Sequence, residues 1–522
     1  MYIAKVIKKY LTSEKYRLIL LGIIQVIASY VAVLIPYILG KYIDKLILQK
    51  DIKYIVYFGI SFLGVYIISS IGTYLNTILL TRLKNKLFYS ISSYSIDCII
   101  NTKYSEMSSV DMDYITEQIS GDTNIIVEFI FGSIFNCIMN IMQLICIFFI
   151  VIKINFATAI IFLISIPLYC IVYILYKGKL YKVYNVFRDK TSRLYSVTNE
   201  IVSRIWFIKA HSLYKEMNSK YEKSYNSYIV AALHHAKVNV KFNIMQNGIT
   251  SLIQIIIFMY CGILIIIDNL TIGSFTVLNN YFNFIIGRVT VFLNISSNYQ
   301  EFRVAKNRME NLLCKIKDDN GLLIVNEVNK IKCKDISFSY GDNKLINKFN
   351  YEFEKGSIYC ISGENGVGKS TLINLLLFIE QEYTGEILFD DININKINMI
   401  DTRKNIVSIV EQFPEMLNES IEDNIKIISS NIANYIFSNV EFINNKNNVE
   451  NLSGGEIKKI ALIRAFLKKS NILILDEPET NLDDKSIKEL VENLKEISKS
   501  KIIILITHSN KFDSIITNRV KL

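Results

Sequence analysis

The chain has 522 residues, of which 51% are hydrophobic, 12% aromatic and only 20% charged, and its mean hydropathy is +0.30. This hydropathy is too high for an ordinary soluble enzyme and too low for a chain lying wholly in lipid. Abundant Leu, Ile, Val and aromatic residues exclude a disordered chain. The eight cysteines form no CxxC pair and no Cys/His cluster, which argues against metal or disulfide chemistry.

The formal net charge of +10 is unevenly distributed. Residues 1–319 carry a net charge of +14, whereas residues 320–522 carry −4. The basic residues therefore lie in the hydrophobic half, which favours contact with anionic membrane lipid and argues against nucleic-acid binding.

Six long apolar stretches lie in the first half of the chain. Each can cross about 30 Å of hydrocarbon, which takes about 20 helical residues. They are 18–40, 54–81, 129–152, 154–176, 242–267 and 269–300. Arg288 is the only charge inside a stretch, and because intramembrane charge is costly we expect it to face a substrate cavity or a water-filled vestibule. The sequence thus predicts a bundle of six transmembrane helices.

The segments between these stretches set the orientation. Residues 1–17 read as an amphipathic helix on the membrane surface, with Lys5, Lys8 and Lys9 opposite an apolar stripe. The N-terminal segment and the long gaps 82–128 and 177–241 are rich in Lys and Arg, so the positive-inside rule places them in the cytoplasm. We predict a multi-pass protein of the cell membrane with a transmembrane domain over 18–316, a linker over 317–324 and an α/β domain over 325–522.

A phosphate-binding loop is indicated at the start of the α/β domain. The strand-like run 357–362 leads into GENGVGKST and then into an apolar helix-like segment. Glycines let the backbone approach phosphate oxygens, Lys369 can reach the outer phosphates, and the Ser370 hydroxyl can bind Mg²⁺. The predicted nucleotide contacts here are Gly363, Glu364, Asn365, Gly366, Val367, Gly368, Lys369, Ser370 and Thr371.

Two carboxylates follow the apolar run 472–475, which is typical of a strand buried on both faces. Ligands bind at the carboxyl ends of strands in open α/β sheets. We therefore expect Asp476 to hold Mg²⁺ and Glu477 to act as the general base that activates the attacking water.

A third motif, LSGGE, precedes a helix-like segment. Ser453 is expected to cap that helix, with Glu456 completing a capping box. Gly454 and Gly455 leave the backbone amides at the cap open, which favours an anion there.

With these three ordered motifs, the chain resembles an ATP-binding cassette (ABC) exporter half-transporter over essentially its whole length. The resemblance implies an α-helical membrane bundle with long cytoplasmic extensions, fused to a C-terminal α/β P-loop NTPase domain. It further implies that Tyr340 stacks on adenine, that Gln412 is a catalytic residue that senses Mg²⁺, and that His508 contacts the γ-phosphate. The Asn481–Asp483 loop would signal to a partner site, with Asp483 near nucleotide. Coupling helices are implied near 107–115 and 205–211, with the only tryptophan, Trp206, either anchoring the second or packing in a core.

The sequence departs from the family pattern in three places. Glu456 stands where the family usually has Gln, which adds negative charge near nucleotide and is expected to slow turnover. The stretch between Gln412 and Leu452 is shorter than usual. No peptidase domain precedes the spans, so we expect no processing of cargo.

The resemblance implies an ATP-driven exporter that works as a dimer, with two ATP molecules sandwiched between Lys369 and Ser370 of one chain and Ser453 of the other. We expect a homodimer, with a heterodimer as the alternative. The cargo is expected to be a peptide or an amphipathic compound. The alternatives are a lipid flippase, a hydrophobic-drug exporter, an importer and a non-transporting ATP-gated regulator.

Overall fold

The computed structural model describes residues 2–49, 52–108, 115–116, 118–313, 318, 320–341, 343–364, 366–427, 437–438, 440, 449 and 452–522. The chain divides into two compact units. One comprises Met1–Asp97 and Asp113–Leu313, and the other comprises Cys98–Met112 and Cys314–Leu522.

The first unit is built from long helices. They are α1 (Tyr2–Ser13), α2 (Lys15–Gln49), α3 (Ile52–Ile100), α5 (Gln118–Ile154), α6 (Phe156–Ser203), α7 (Ile205–Ala210), α8 (Tyr214–Ile266) and α9 (Ile272–Leu313), with the short α4 (Tyr104–Ser108) in the second unit. Helix α5 contains two π-helical stretches, Gln118–Asp122 and Phe129–Phe135.

Five of the described helices, α2, α3, α5, α6 and α8, are long and apolar enough to cross a membrane. The sixth predicted span lies in α9, which is less apolar. Its Leu278, Tyr281, Phe282 and Ile285 are fully buried among the other helices. A helix enclosed in this way has little surface facing lipid, so it needs fewer apolar residues than a helix at the periphery.

Helices α2 and α9 approach each other closely near residues 40–44 and 271–273. The Asp44 carboxylate accepts hydrogen bonds from the Gly273 N–H (2.7 Å) and the Thr271 hydroxyl (2.7 Å). It thereby satisfies backbone and side-chain donors at the start of α9. A Cβ at Gly273 would overlap the carbonyl oxygen of Gly40. Glycine is therefore required at this contact.

Helix α1 has the predicted amphipathic character, but part of its apolar stripe packs on protein. Ile3 and Tyr10 are buried, and the Tyr10 hydroxyl donates to the Leu83 carbonyl (2.9 Å). Between α1 and α2, the buried Glu14 pairs with Arg17 (2.7 Å) and with Lys86. These contacts attach the N-terminal helix to α3. Its contact with the membrane surface stays a prediction.

The second unit contains two sheets. Its elements are β1 (Lys330–Tyr340), β2 (Asn343–Glu354), β3 (Ile358–Ser362), α10 (Lys369–Leu376), β4 (Thr384–Phe389), β5 (Ile392–Asn393), α11 (Met399–Asn405), β6 (Val407–Val410), α12 (Ile421–Lys426), α13 (Gly454–Leu467), β7 (Ile472–Asp476), α14 (Asp484–Ile497), β8 (Ile502–Ile506) and β9 (Asn518–Lys521). An antiparallel sheet has the order β2-β1-β4-β5, and a parallel sheet has the order β6-β7-β8-β3-β9.

The parallel sheet forms the core of this unit. Ile474 of β7 faces a cluster that includes α10, whereas Leu473 and Leu475 face a cluster that includes α13 and α14. Both faces are thus covered, which explains the uninterrupted apolar runs that predicted these strands. The carboxyl ends of β3, β7 and β8 lie side by side, because Ile361 pairs with Ile506 and Asp476 also pairs with Ile506.

The structure contains a helix at the second predicted coupling-helix position, whereas the first position is only partly described. The isolated helix α7 forms at the position of the second, and its Trp206 is 77% exposed, so packing of Trp206 in a core is wrong for this chain. For the first, α4 forms slightly earlier than expected, and residues 109–114 lie outside the described residues. Residues 98–108, assigned above to the transmembrane domain, belong to the second unit, where Thr102 and Met107 are buried.

The contact at Gly273 generates a stability prediction. We expect Gly273→Ala to lower the midpoint of thermal unfolding in detergent, because the added methyl group must displace the backbone near Gly40, at a cost of about 1–3 kcal/mol. Gly248→Ala, in α8, is the matched control because nothing lies within 4 Å of its Cβ position. That control should keep or raise the midpoint, since replacing a helical Gly by Ala contributes about 0.5–1 kcal/mol. Equal midpoints for the two variants would contradict the proposed close contact.

Candidate nucleotide-binding site

The phosphate-binding loop connects β3 to α10 as the sequence predicts. Gly368 has a φ of 104°, a left-handed conformation that glycine adopts readily, and it caps the N-terminus of α10. The Lys369 ammonium donates to the loop carbonyls of Gly363 (2.8 Å) and Glu364 (3.3 Å). The loop therefore bends around the lysine, and free amides at the start of α10 are available to an anion.

His508 is brought to this lysine by β8. The two residues are far apart in sequence, yet His508 Nε2 lies 3.1 Å from Lys369 Nζ. The two nitrogens are thus within hydrogen-bonding distance of each other. Both groups thus point at the space where an outer phosphate would lie against the loop.

Ser370 and Asp476 are also brought together. The Ser370 hydroxyl donates to Asp476 Oδ2 at 3.2 Å. Burial raises the pKa of the Asp476 carboxyl above its ordinary value, with the Ser370 hydrogen bond opposing that change. A carboxylate that burial destabilises gains from a nearby cation.

This donor set fits Mg²⁺ rather than a metal held by protein alone. The described residues contain no group of three or more His, Cys, Asp or Glu side chains that could hold a metal ion. Mg²⁺ is commonly bound by one or two carboxylates together with substrate phosphates and water. Ser370 and Asp476 could supply the protein ligands of such an ion.

Glu477 follows directly on β7 with a φ of 43°, which is rare for a residue other than glycine. Its N–H donates to the Ile506 carbonyl (2.8 Å), and its Oε2 accepts from Gln412 Nε2 (2.8 Å). The turn directs the carboxylate away from the strand and against the glutamine. Backbone strain of this kind persists only where the surroundings enforce it and is frequent at functional sites.

The N-terminus of α13 carries the predicted capping box. Ser453 Oγ accepts from the Glu456 N–H (3.3 Å), while Glu456 Oε2 accepts from the Ser453 N–H (2.7 Å). A Cβ on Gly455 would lie 2.5 Å from the Asn481 carbonyl oxygen. The second glycine is therefore required because the Asn481–Asp483 loop packs directly on the helix cap. Asp483 itself lies 3.6 Å from Lys459 of the same helix.

Tyr340 ends β1 and is 46% exposed. Its hydroxyl donates to Glu380 Oε1 at 2.9 Å, and burial together with this carboxylate raises its pKa to about 12. The hydroxyl is thereby fixed while part of the ring remains accessible. An exposed and oriented aromatic ring suits stacking on a base.

Both units of the chain are similar to known protein families. A family model described as the ABC transporter transmembrane region matches residues 18–289, and one described as ABC transporter matches residues 346–480. The chain belongs to the ABC transporter family. It is a membrane protein of the exporter type that binds ATP, and in this family hydrolysis of ATP is coupled to transport.

Several curated relatives are similar to this ABC transporter. A probable ABC transporter ATP-binding/permease protein of Haemophilus influenzae is 29% identical over 45% of the chain and 45% of the relative. A lactococcin-A transport/processing ATP-binding protein of Lactococcus lactis is 25% identical over 92% of the chain and 70% of the relative. An ATP-dependent lipid A-core flippase of Syntrophus aciditrophicus is 21% identical over 89% and 81%.

The fold also matches a solved structure. A bacterial Atm1-family ABC exporter with ATP bound superposes with a TM-score of 0.81, covering 98% of this chain and 94% of that one at 16% sequence identity. The chain therefore shares the ABC exporter fold.

Most of the predicted site residues of this ABC transporter lie at one edge of the parallel sheet. Lys369, Ser370, Gln412, Asp476, Glu477 and His508 are connected there by hydrogen bonds or close contacts. Ser453, Gly454, Gly455 and Glu456 lie separately at the N-terminus of α13. Asn365 lies outside the described residues, as does much of the short stretch between Gln412 and Leu452.

Lys458 is a residue that sequence reasoning missed. It is almost fully buried on α13, and its ammonium donates to the carbonyls of Glu411 (2.9 Å), Gln412 (3.1 Å) and Asp476 (3.3 Å). Burial lowers its pKa below the ordinary value. The sequence does contain a sign of this burial. Lys458 precedes Leu462 by four residues, so the two share one face of the helix and the lysine lies in an apolar stripe.

Lys458 generates a kinetic prediction for this ABC transporter. We expect Lys458→Met to lower kcat for ATP hydrolysis by about tenfold or more, because small misplacements of reacting groups have large effects on rate. Lys458→Gln, which keeps a donor, should fall between wild type and Lys458→Met. The exposed Lys485→Met is the control. If kcat were the same in all four proteins, Lys458 would have no positioning role.

Proposed function

We propose that two copies of this chain form an exporter in which ATP binding closes the dimer and ATP hydrolysis resets it. The observation that carries this proposal is the convergence of Lys369, Ser370, Asp476, Glu477 and His508 at the ends of β3, β7 and β8. A complete set of hydrolytic groups in one chain supports a homodimer over a heterodimer with one degenerate site.

In the proposed reaction, Glu477 orients and deprotonates the attacking water, and Gln412 holds the Glu477 carboxylate until water and nucleotide are in place. Lys369 and His508 stabilise the negative charge that develops on the γ-phosphate. Ser370, Asp476 and Gln412 would hold Mg²⁺, which neutralises charge on the β- and γ-phosphates.

The partner chain would complete each site through Ser453 and the glycine amides at the start of α13. Ser453 and Gly454 are exposed, so the positive end of this helix is accessible to a phosphate from outside the chain. The exposed Ile205, Trp206 and Phe207 are consecutive on α7 and give it an apolar surface, which supports docking on a second copy. Closing the dimer on ATP would supply the ligand-dependent two-state change that transport requires.

We propose a peptide or another amphipathic compound as cargo. The relatives include both a lactococcin-A transport/processing protein and a lipid A-core flippase, so lipid transport is the alternative. A non-transporting regulator is disfavoured because Glu477 and His508 are both present and positioned. An importer is disfavoured by the ATP-binding domain fused after the spans.

Replacement of the proposed base tests the mechanism. We expect Glu477→Gln to lower steady-state ATP hydrolysis in lipid nanodiscs by about 100-fold or more, the contribution of a positioned base, while ATP binding is kept. The variant should therefore retain ATP after rapid gel filtration. The exposed Glu496→Gln serves as the control and should hydrolyse ATP like wild type. Undiminished hydrolysis by Glu477→Gln would exclude Glu477 as the base.

Export is tested by combining this nanodisc preparation with a vesicle preparation of the same protein. Wild-type hydrolysis is titrated with peptides, lipids and hydrophobic cations, and transport of the stimulating class is then followed into inside-out vesicles. Stimulation and ATP-dependent uptake, both lost in Glu477→Gln, are the expected results. Nucleotide-driven conformational change without uptake of any class would favour the regulator instead.

Glu456 gives a separate prediction. In Glu456→Gln the amide oxygen can still accept from the Ser453 N–H, so the helix cap is preserved while a negative charge is removed. We expect KM for ATP to fall about two- to fivefold, the effect of one partly exposed charge, with thermal stability unchanged. Glu422→Gln, at the start of α12, controls for loss of charge elsewhere in the domain. A KM equal to wild type would show that Glu456 does not repel nucleotide.

A further inference from the structure

A polar cavity lies inside the membrane unit. Its volume is about 230 Å³, enough for part of a cargo molecule but not for a whole peptide or lipid. Its polar lining residues come from four different helices, α2, α3, α5 and α9, and are Gln25, Ser29, Asn76, Asn136, Asn140, Gln143 and Arg288. Five carboxamides and one guanidinium within apolar spans are costly and call for a function.

Several of these groups lack a hydrogen-bonding partner. Gln25 is 91% buried, and its Oε1 has no hydrogen-bonding partner. The Oδ1 atom of Asn76 is also buried without a partner. Arg288 Nε is also buried without a partner, and the guanidinium lies 5.9 Å from the Phe284 ring. Buried polar atoms of this kind normally form hydrogen bonds, because each buried donor or acceptor left without one costs about 1–3 kcal/mol. The cavity is therefore built for groups that are not part of this chain.

The charge of the cavity defines what it accepts. Arg288 is the only charged residue among the described lining residues, and no carboxylate among the described residues pairs with it. A guanidinium in a poorly solvated site binds an anionic oxygen strongly and with defined geometry. The unpartnered oxygens of Gln25 and Asn76 additionally require hydrogen-bond donors from the ligand.

We propose that this cavity binds the carboxylate end of a peptide cargo, with Arg288 pairing with the carboxylate and the carboxamides of Gln25 and Asn76 accepting from peptide N–H groups. This inference rests on the proposed export function and specifies its substrate. A lipid phosphodiester also offers anionic oxygens, but the diester itself has no donor for the two carboxamide oxygens. A peptide end supplies an anion and donors within a few ångströms of each other.

The positions along the spans agree with loading from the cytoplasm. Gln25 lies in the first part of its span, Asn76 near the end of the next and Asn136 near the start of the third. With the N-terminus cytoplasmic, all three lie in the cytoplasmic half of the membrane. A cargo entering from that side would reach them before crossing.

Direct binding to the full-length protein in nanodiscs tests this assignment without relying on ATP hydrolysis. The probes are N-lauroyl-glycyl-phenylalanine as the free acid, the same compound as its C-terminal amide, and dodecyl phosphate, each measured against empty nanodiscs. We expect the free acid to bind wild type about tenfold or more tighter than the amide, since only the acid forms the charge-assisted pair. In Arg288→Gln that preference should disappear, and in Arg288→Lys it should be partly kept.

Lys153→Gln is the matched control, because it removes a cation from the membrane unit without lining the cavity, and it should keep the preference for the acid. Equal binding of acid and amide to wild type, or an acid preference that survives in Arg288→Gln, would overturn the proposal. An Arg288-dependent preference for dodecyl phosphate over the acid would also overturn it and assign the cavity to a lipid head group. If wild type showed no ATP hydrolysis that depends on Glu477, by contrast, the proposed function would be contradicted. The binding result would then stand separately.

Discussion

The ATP site depends on one constraint, the adjacency of three parallel strand ends. Strands β3, β7 and β8 end at the same edge of the sheet, because Ile506 pairs with both Ile361 and Asp476. Lys369 follows the first strand, Asp476 and Glu477 the second, and His508 the third. Phosphate chemistry needs a cation, a metal ligand and a base within a few ångströms of one another. The register of the sheet brings the residues proposed for these roles together, and the cores on its two faces keep that register fixed.

A second set of contacts connects this edge to the helix that would meet a partner chain. Lys458 of α13 donates to carbonyls on both sides of the site, and Asn481 packs on Gly455 at the cap of the same helix. The cap of α13, the segment Glu411–Gln412 that follows β6, and the end of β7 are therefore connected through Lys458 and Asn481. A phosphate bound at the cap of α13 would act on the backbone that carries Gln412 and Asp476. In the proposed dimer, this would give a signal from the partner chain a short physical route to the proposed hydrolytic groups.

The sequence was sufficient for the parts of the fold that local chemistry determines. Apolar runs predicted β3 and β7, and Ser453 with Glu456 predicted the capping box. It was less informative where burial depends on neighbours. Nothing local shows that Tyr340 is oriented by Glu380, forty residues away, or that Lys458 donates to three carbonyls from two separate segments of the chain. The packing of residues 98–108 within the ATP-binding unit likewise depends on contacts that only the folded chain brings together.

The same distinction explains the membrane unit. Hydropathy identifies a span because the lipid-facing surface of a helix must be apolar. It is less informative for α9, whose buried Tyr281 donates to the Val33 carbonyl and does not face lipid. Polar residues such as Gln25 and Asn140 are each unremarkable within an apolar stretch. They acquire meaning only when four helices place them around one cavity with Arg288. Lipid offers no partner for these groups, and the described chain leaves several of them unpaired. Their burial therefore costs free energy in this state, which favours a second state of the transporter in which they are paired. A cargo that carries both an anion and donors recovers that free energy on binding, which couples recognition of that cargo to closure of the helices around it.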